Sequence, residues 1–203
     1  VTTSIAIVDT GVANIASLMA AFRRLDRAPE LTVSPEAVAE SPFVVLPGVG
    51  AFGPGMEMLK SNRLVDPMRE RVRDGGPTLA VCLGMQLLAE GSEENPEVPG
   101  LGIVDSWVEE FSEAVRTPQF GWNEVVAGPD CEVLETGYAY FANSYCVPEA
   151  PDGWAAATGE YGGSFIAAME RGPVLACQFH PELSGPWGHG LLERWLKRGD
   201  SSC

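Results

Sequence analysis

Short apolar runs alternate with amphipathic stretches through the first half of the chain. Residues 4–9 (SIAIVD) read as a buried strand, and residues 13–24 as a helix with Ile15, Leu18, Met19 and Phe22 on one face. A second strand is expected near residues 30–33. A clearer one, Phe43–Leu46, is ended by Pro47-Gly48. The helical pattern returns over Val65–Arg73 and stops at Gly75-Gly76-Pro77. Thr78–Val81 then reads as a strand that runs into a helix over residues 83–89. Strands alternating with helices predict a parallel sheet covered on both faces.

The pattern changes in the second half. β-like runs at residues 106–111, 124–126, 138–144, 155–159, 165–170 and 174–179 are separated by turn residues, with little helix until residues 191–197. This predicts an antiparallel or mixed sheet built onto the same core, with the last helix packed back against it. No repeat, low-complexity tract or linker divides the sequence. The expectation is one α/β domain over residues 1–203: an open, mostly parallel central sheet flanked by helices, with an antiparallel or mixed extension in the second half.

Composition narrows the function classes. Of 203 residues, 45% are apolar and 20% charged, the balance of a globular protein rather than a disordered one. Lys+Arg 13 against Asp+Glu 28 gives a net charge of −15, which disfavours nucleic-acid or anionic-membrane binding. The apolar runs fall far short of the roughly 20 residues of a membrane span. The apolar N-terminal run has no basic segment before it and reads as a first strand rather than a signal peptide. Five cysteines, Cys82, Cys131, Cys146, Cys177 and Cys203, with no C-x-x-C, suit a reducing cytoplasm better than a disulfide framework or zinc site. No local motif for a metal or a P-loop is present. With two histidines, any imidazole chemistry falls on His180 or His189.

Three motifs carry candidate chemistry. In Leu79-Ala-Val-Cys-Leu-Gly-Met-Gln86 an apolar strand ends at Cys82, and a glycine two residues later permits a sharp turn into a helix. That is the pattern of a nucleophile elbow, although a buried cysteine at a strand end would read the same way. In Ala176-Cys-Gln-Phe-His-Pro-Glu182, His180 ends a second apolar run and Glu182 follows two positions on. In extended backbone those side chains share a face, so the carboxylate can orient the imidazole. A lone histidine there could be structural. A cysteine elbow about 100 residues earlier favours a nucleophile–base–orienter set. The third motif, Val44-Val-Leu-Pro-Gly-Val-Gly-Ala-Phe-Gly53, formally contains G-x-G-x-x-G. A dinucleotide site is disfavoured because the match is outside the first βα unit and Pro54-Gly55 are expected to weaken the following helix. A loop whose N–H groups face an oxyanion fits better.

Taken in order, P-G-x-G, C-L-G-M-Q and F-H-P-E resemble the class I, triad-type glutamine amidotransferase family across nearly the whole chain. Pro47-Gly-Val-Gly-Ala-Phe52, Gly121-Trp-Asn123 and Tyr140-Phe-Ala-Asn-Ser-Tyr145 further resemble the glutaminase subunits of imidazole glycerol phosphate synthases. The resemblance implies that Cys82 attacks the glutamine side-chain amide, with His180 as general acid/base and Glu182 as its orienter. It implies an oxyanion hole from the backbone N–H groups of Val49 and Leu83, the Val49 peptide flipping when the partner enzyme is occupied. Gly50, Gln86, Glu94, Ser144 and Tyr145 match positions that hold glutamine, Glu94 facing the α-ammonium. The implied partner is a (β/α)8 cyclase that receives the ammonia in a heterodimer, with Asn14 and Trp122 at positions of its interface. No cofactor or metal is implied.

The sequence also departs from that family. Pro118-Gln-Phe-Gly-Trp-Asn123 stands where P-H-M-G-W-N is usual, and Asn143-Ser-Tyr145 where H-S-Y is usual. Early D-Y-G-x-G-N becomes Asp9-Thr-Gly-Val-Ala-Asn14. His180-Pro-Glu-Leu-Ser184 replaces H-P-E-K-S, so Leu183 removes a cation at the expected interface. These changes leave the triad intact and bear on partner coupling. The alternatives are a glutaminase serving another class I synthase, or a silent protein that only binds a cyclase. His189 is expected near the start of the last helix as a surface or capping residue, and the remaining cysteines as ordinary thiols.

Overall fold

Strands buried on both faces form the centre of the molecule, a computed structural model that describes residues 3–11 and 14–201. The first half runs β1 (Ser4–Val8), α1 (Ile15–Arg24), β2 (Ala28–Thr32), α2 (Pro35–Glu40), β3 (Phe43–Leu46), α3 (Phe52–Ser61), α4 (Val65–Arg73), β4 (Thr78–Val81) and α5 (Leu83–Gln86). The second half supplies β5 (Gly91–Ser92), β6 (Trp107–Glu110), β7 (Gln119–Ala127), β8 (Gly137–Asn143), β9 (Tyr145–Cys146), β10 (Ala155–Glu160), β11 (Ser164–Arg171) and β12 (Val174–Cys177). A 3-10 turn, Pro181–Leu183, leads into α6 (Gly185–Asp200).

Among the described residues, nine strands form one sheet in the order β2-β1-β3-β4-β12-β11-β10-β7-β8. The members from β2 to β12 are parallel, and those from β12 to β8 pair antiparallel. The expected extension is therefore continuous with the central sheet. Both faces are covered, which is why β1, β3 and β4 read as unbroken apolar runs. Ile5, Ile7, Phe43, Val45, Leu79 and Val81 face a core shared with Phe22 of α1 and Trp195 of α6. Ala6, Val8, Val44, Leu46 and Ala80 face the opposite core with Met56, Leu59 and Met68 of α3 and α4.

Several boundaries differ from the sequence expectations. The short α2 was not expected; Ser34 caps it, accepting the Ala37 N–H at 3.2 Å, and Pro35 sits in its first turn. A helix does follow the glycine-rich loop. Pro54 falls in the first turn of α3, where its missing N–H is no loss, and Gly55 lets that helix lie against Leu83 and Leu87. α5 is four residues long rather than the expected seven, and turns follow it. β7 extends well before residue 124 because its outward residues, Phe120 and Trp122, are aromatic rather than polar. Residue 13, the expected start of the first helix, and Cys203 lie outside the described residues. No helix among those described is long and apolar enough to cross a membrane.

Candidate active site

The return of the chain to β12 brings the second-half motif beside the first. β12 pairs in parallel with β4, Cys177 opposite Val81, so the next residues on each strand leave the sheet side by side at its carboxyl end. The first of them is Cys82, whose N–H donates to the Cys177 carbonyl at 2.7 Å. Cys82 has φ 54° and ψ −112°, a left-handed conformation costly for a side-chain-bearing residue. The expected elbow is therefore present. Its tightness depends on Gly84, where a Cβ would collide with the Leu46 carbonyl oxygen.

His180 is held from several directions. Its N–H donates to the Tyr140 carbonyl at 2.9 Å, and its own carbonyl accepts the Ser184 hydroxyl at 2.6 Å. Ser184 Oγ in turn accepts the Tyr140 N–H at 3.0 Å, locking the turn to β8. His180 Nδ1 lies 2.9 Å from Glu182 Oε1, and both side chains are buried. The expected reach exists through a different backbone. His180 is extended, but Glu182 sits in the 3-10 turn rather than in continued strand. Burial works against a charged imidazole. Hydrogen bonds to Cys82 and Glu182, reinforced by their charges, outweigh it and push His180 up to about 10. Cys82 and Glu182 thus both act on this imidazole, the relation required of a nucleophile, base and orienter. Glu182 Oε2 has no hydrogen-bond partner among the described residues.

A cleft of about 180 Å³ opens at Cys82 and is lined by Val49, Gly50, Leu83, Gln86, Glu94, Ser144 and Tyr145. Every sequence-expected substrate contact thus reaches one hollow. Glu94 Oε2 accepts the Phe52 N–H at 2.7 Å, so this carboxylate also fixes the start of α3. Burial and the carboxylates of Glu110, Glu94 and Glu93 push the Tyr145 phenol up, keeping it neutral. Larger hollows elsewhere, such as the one beside Trp154, Arg171 and Arg198, contain no cysteine–histidine pair.

The two expected oxyanion donors do not converge. The Leu83 N–H donates to the Gly48 carbonyl at 3.3 Å. That carbonyl belongs to the peptide whose N–H is Val49's. The two groups of a trans peptide point in opposite directions, so the Val49 N–H is turned away. One donor is occupied and the other averted.

Residues 6–198 match the glutamine amidotransferase class-I family model. The chain belongs to that family. It is 40% identical to imidazole glycerol phosphate synthase subunit HisH of Symbiobacterium thermophilum over 94% of its own length and 92% of that protein's. It is 36% identical to the chloroplastic imidazole glycerol phosphate synthase hisHF of Arabidopsis thaliana, over 95% of this chain but 34% of that longer protein. A crystal structure of a glutamine amidotransferase superposes with a TM-score of 0.78 at 20% identity, covering 97% of this chain and 98% of the other.

Within this amidotransferase, the expected interface residues Asn14, Trp122 and Leu183 are all exposed. Trp122 extends toward Gly185, which follows the turn containing Leu183, so these two border one region, and Asn14 stands at the N-terminus of α1. Phe120 (71% exposed) and Tyr138 (57%) enlarge it, and sequence reading had not singled them out. Gln119 and Asn143, which stand where the family usually has histidine, are cross-strand partners and both buried. His189 lies in the first half of α6 and is partly buried. Burial pushes Cys146 up to about 12 and raises Cys131 and Cys177 as well, which keeps these thiols protonated. No cluster among the described residues has the makings of a metal site. The residue that sequence reasoning missed is Gln178. It is fully buried, with Nε2 3.7 Å from Cys82 Sγ.

Proposed function

We propose that this chain is the glutaminase subunit of an imidazole glycerol phosphate synthase, releasing ammonia from L-glutamine for a separate cyclase in histidine biosynthesis. The observation that carries the reading is the Cys82–His180–Glu182 array beside a cleft bordered by the expected glutamine contacts. The Cys82 thiol gives its proton to His180 as the sulfur attacks the side-chain amide carbon of glutamine, and the carbonyl π electrons move onto oxygen. Collapse of this tetrahedral oxyanion breaks the C–N bond, and His180 gives its proton to the departing ammonia. Water then attacks the thioester with His180 as base, releasing glutamate and restoring the thiol. Glu182 keeps the imidazole oriented and stabilises its positive form. The balance needs no cofactor.

The oxyanion hole is assembled by a flip of the Gly48–Val49 peptide, which frees the Leu83 N–H and turns that of Val49 inward. The exposed patch of Phe120, Trp122, Tyr138 and Leu183 beside the cleft suits docking of a (β/α)8 cyclase, and the exposed Asn14 is assigned to the same partner by the family resemblance. Residues 1–203 act as one domain in a cytoplasmic heterodimer. The test is ammonia release from glutamine, measured with and without the cyclase and its nucleotide ligand. Turnover should rise with the occupied cyclase and vanish in Cys82→Ala. Persistent turnover in that variant would overturn the mechanism, and stimulation only by a different acceptor subunit would overturn the choice of partner.

A further inference from the structure

Gln178 is the first residue after β12 and stands beside Cys82, the first after β4. It is a fully buried polar side chain in an otherwise apolar run, and it carries a fixed set of hydrogen bonds. Gln86 Nε2 donates to the Tyr145 carbonyl at 3.0 Å. A carbonyl only accepts, so this contact settles which end of the Gln86 amide is nitrogen. The same nitrogen lies 3.0 Å from the Gln178 amide, whose facing atom must then be the acceptor Oε1. Gln178 Nε2 is thereby left facing the sulfur at 3.7 Å. Asn143 Nδ2 donates to the same Tyr145 carbonyl at 3.0 Å, so a row of amides runs from β8 to the reactive sulfur.

We propose that Gln178 is a positioning residue that aims the Cys82 sulfur at the cleft, its carboxamide held in one orientation by Gln86. His180 approaches the sulfur as its proton partner, and Gln178 contributes a second N–H donor. Together they restrict the χ1 freedom of a residue already held in a left-handed conformation. Gln86 then has two roles: it lines the substrate cleft, and it sets the Gln178 amide that faces the nucleophile. The inference depends on the proposed function only in calling Cys82 the nucleophile.

The test reads the sulfur without glutamine. Iodoacetamide alkylation of Cys82 at neutral pH, followed by peptide mass spectrometry on the full chain, is compared among native protein, Gln178→Met, Gln178→Glu and Gln86→Leu. Loss of the one hydrogen bond that Gln178 makes to the attacking sulfur predicts roughly tenfold slower alkylation in both Gln178 variants. Gln86→Leu should slow it as well, although Gln86 does not touch the sulfur; a residue that only held substrate would leave the rate unchanged. In glutamine hydrolysis with the cyclase, Gln178→Met should lower kcat more than it raises KM. Melting curves identify a variant that fails to fold, and Gln86→Leu then carries the comparison. Native alkylation rates in the folded variants would overturn the proposal. A native chain that hydrolyses no glutamine would sink the proposed function and leave the alkylation comparison fully readable.

Discussion

Replacing Glu182 by glutamine keeps an oxygen for the His180 Nδ1–H and removes the charge behind it. His180 is pushed up from its ordinary 6.5 to about 10, against burial, by Cys82 and Glu182 together. At about 1.4 kcal/mol per unit, that rise is worth roughly 5 kcal/mol, with Cys82 and Glu182 both contributing. The folded chain keeps a proton on His180 that the unfolded chain gives up near 6.5. This contribution is fully present below 6.5 and is lost as pH rises through about 10. Glu182 Oε2 has no described partner, so the new NH2 is also buried without an acceptor, a pH-independent cost of about 1–3 kcal/mol. Urea unfolding of native and Glu182→Gln protein across this range should therefore give a gap that narrows toward high pH, by no more than the roughly 5 kcal/mol of the whole rise. Ammonia release should fall by about 10²–10⁴-fold in kcat, the usual worth of a positioned acid–base. A gap that stays constant with pH, together with near-native kcat, would refute the coupling of Glu182 to His180.

Gly84→Ala places a methyl group against the Leu46 carbonyl and should cost about 1–3 kcal/mol in urea unfolding, with a matching loss of activity as the elbow shifts; an unchanged midpoint would contradict the close-approach argument. Arg71 is buried and reaches the carbonyls of Val38 (3.1 Å), Pro42 (3.1 Å) and Pro77 (3.0 Å). Arg71→Met strands those acceptors, so a loss of about 3 kcal/mol or more is expected in thermal or urea unfolding. Trp122→Ala should leave stability within about 0.5 kcal/mol and weaken cyclase binding by roughly tenfold or more, read by titration calorimetry. Unaltered affinity would remove Trp122 from the interface.

β3, β4 and α4 begin and end where the sequence places them. Their apolar runs are unbroken and are stopped by Pro47-Gly48, the Cys82 elbow and Gly75-Gly76-Pro77. Burial on both faces writes itself into composition. A two-turn helix such as α2 buries one side chain, Val38, and leaves almost no period to detect. The sequence pattern reveals only the end of β7, because Phe120 and Trp122 point outward, against the usual alternation of a half-exposed strand. Cys82 and His180 are legible because each closely follows a strand in a compact motif, and Glu182 lies two positions after His180. Gln178 is not, since its partner Gln86 is 92 positions away and a polar residue in a strand carries no signal of what it faces. The orientation of the Gly48–Val49 peptide is a backbone rotation that no side chain encodes.

The Leu83–Gly48 hydrogen bond is long, at 3.3 Å, and a neutral bond of this kind contributes about 1 kcal/mol net. Such a latch alone would disfavour the flipped peptide by only about fivefold, and the torsional preferences of Gly48 and Val49 add to that ratio. Carrying a two-state loop from one part in a hundred to nearly complete occupancy takes about 5.5 kcal/mol of differential affinity, within what a docked partner and its ligand can supply jointly. Idle and working forms of the proposed glutaminase would then have the same complement of side chains and differ in the population of a single amide rotation.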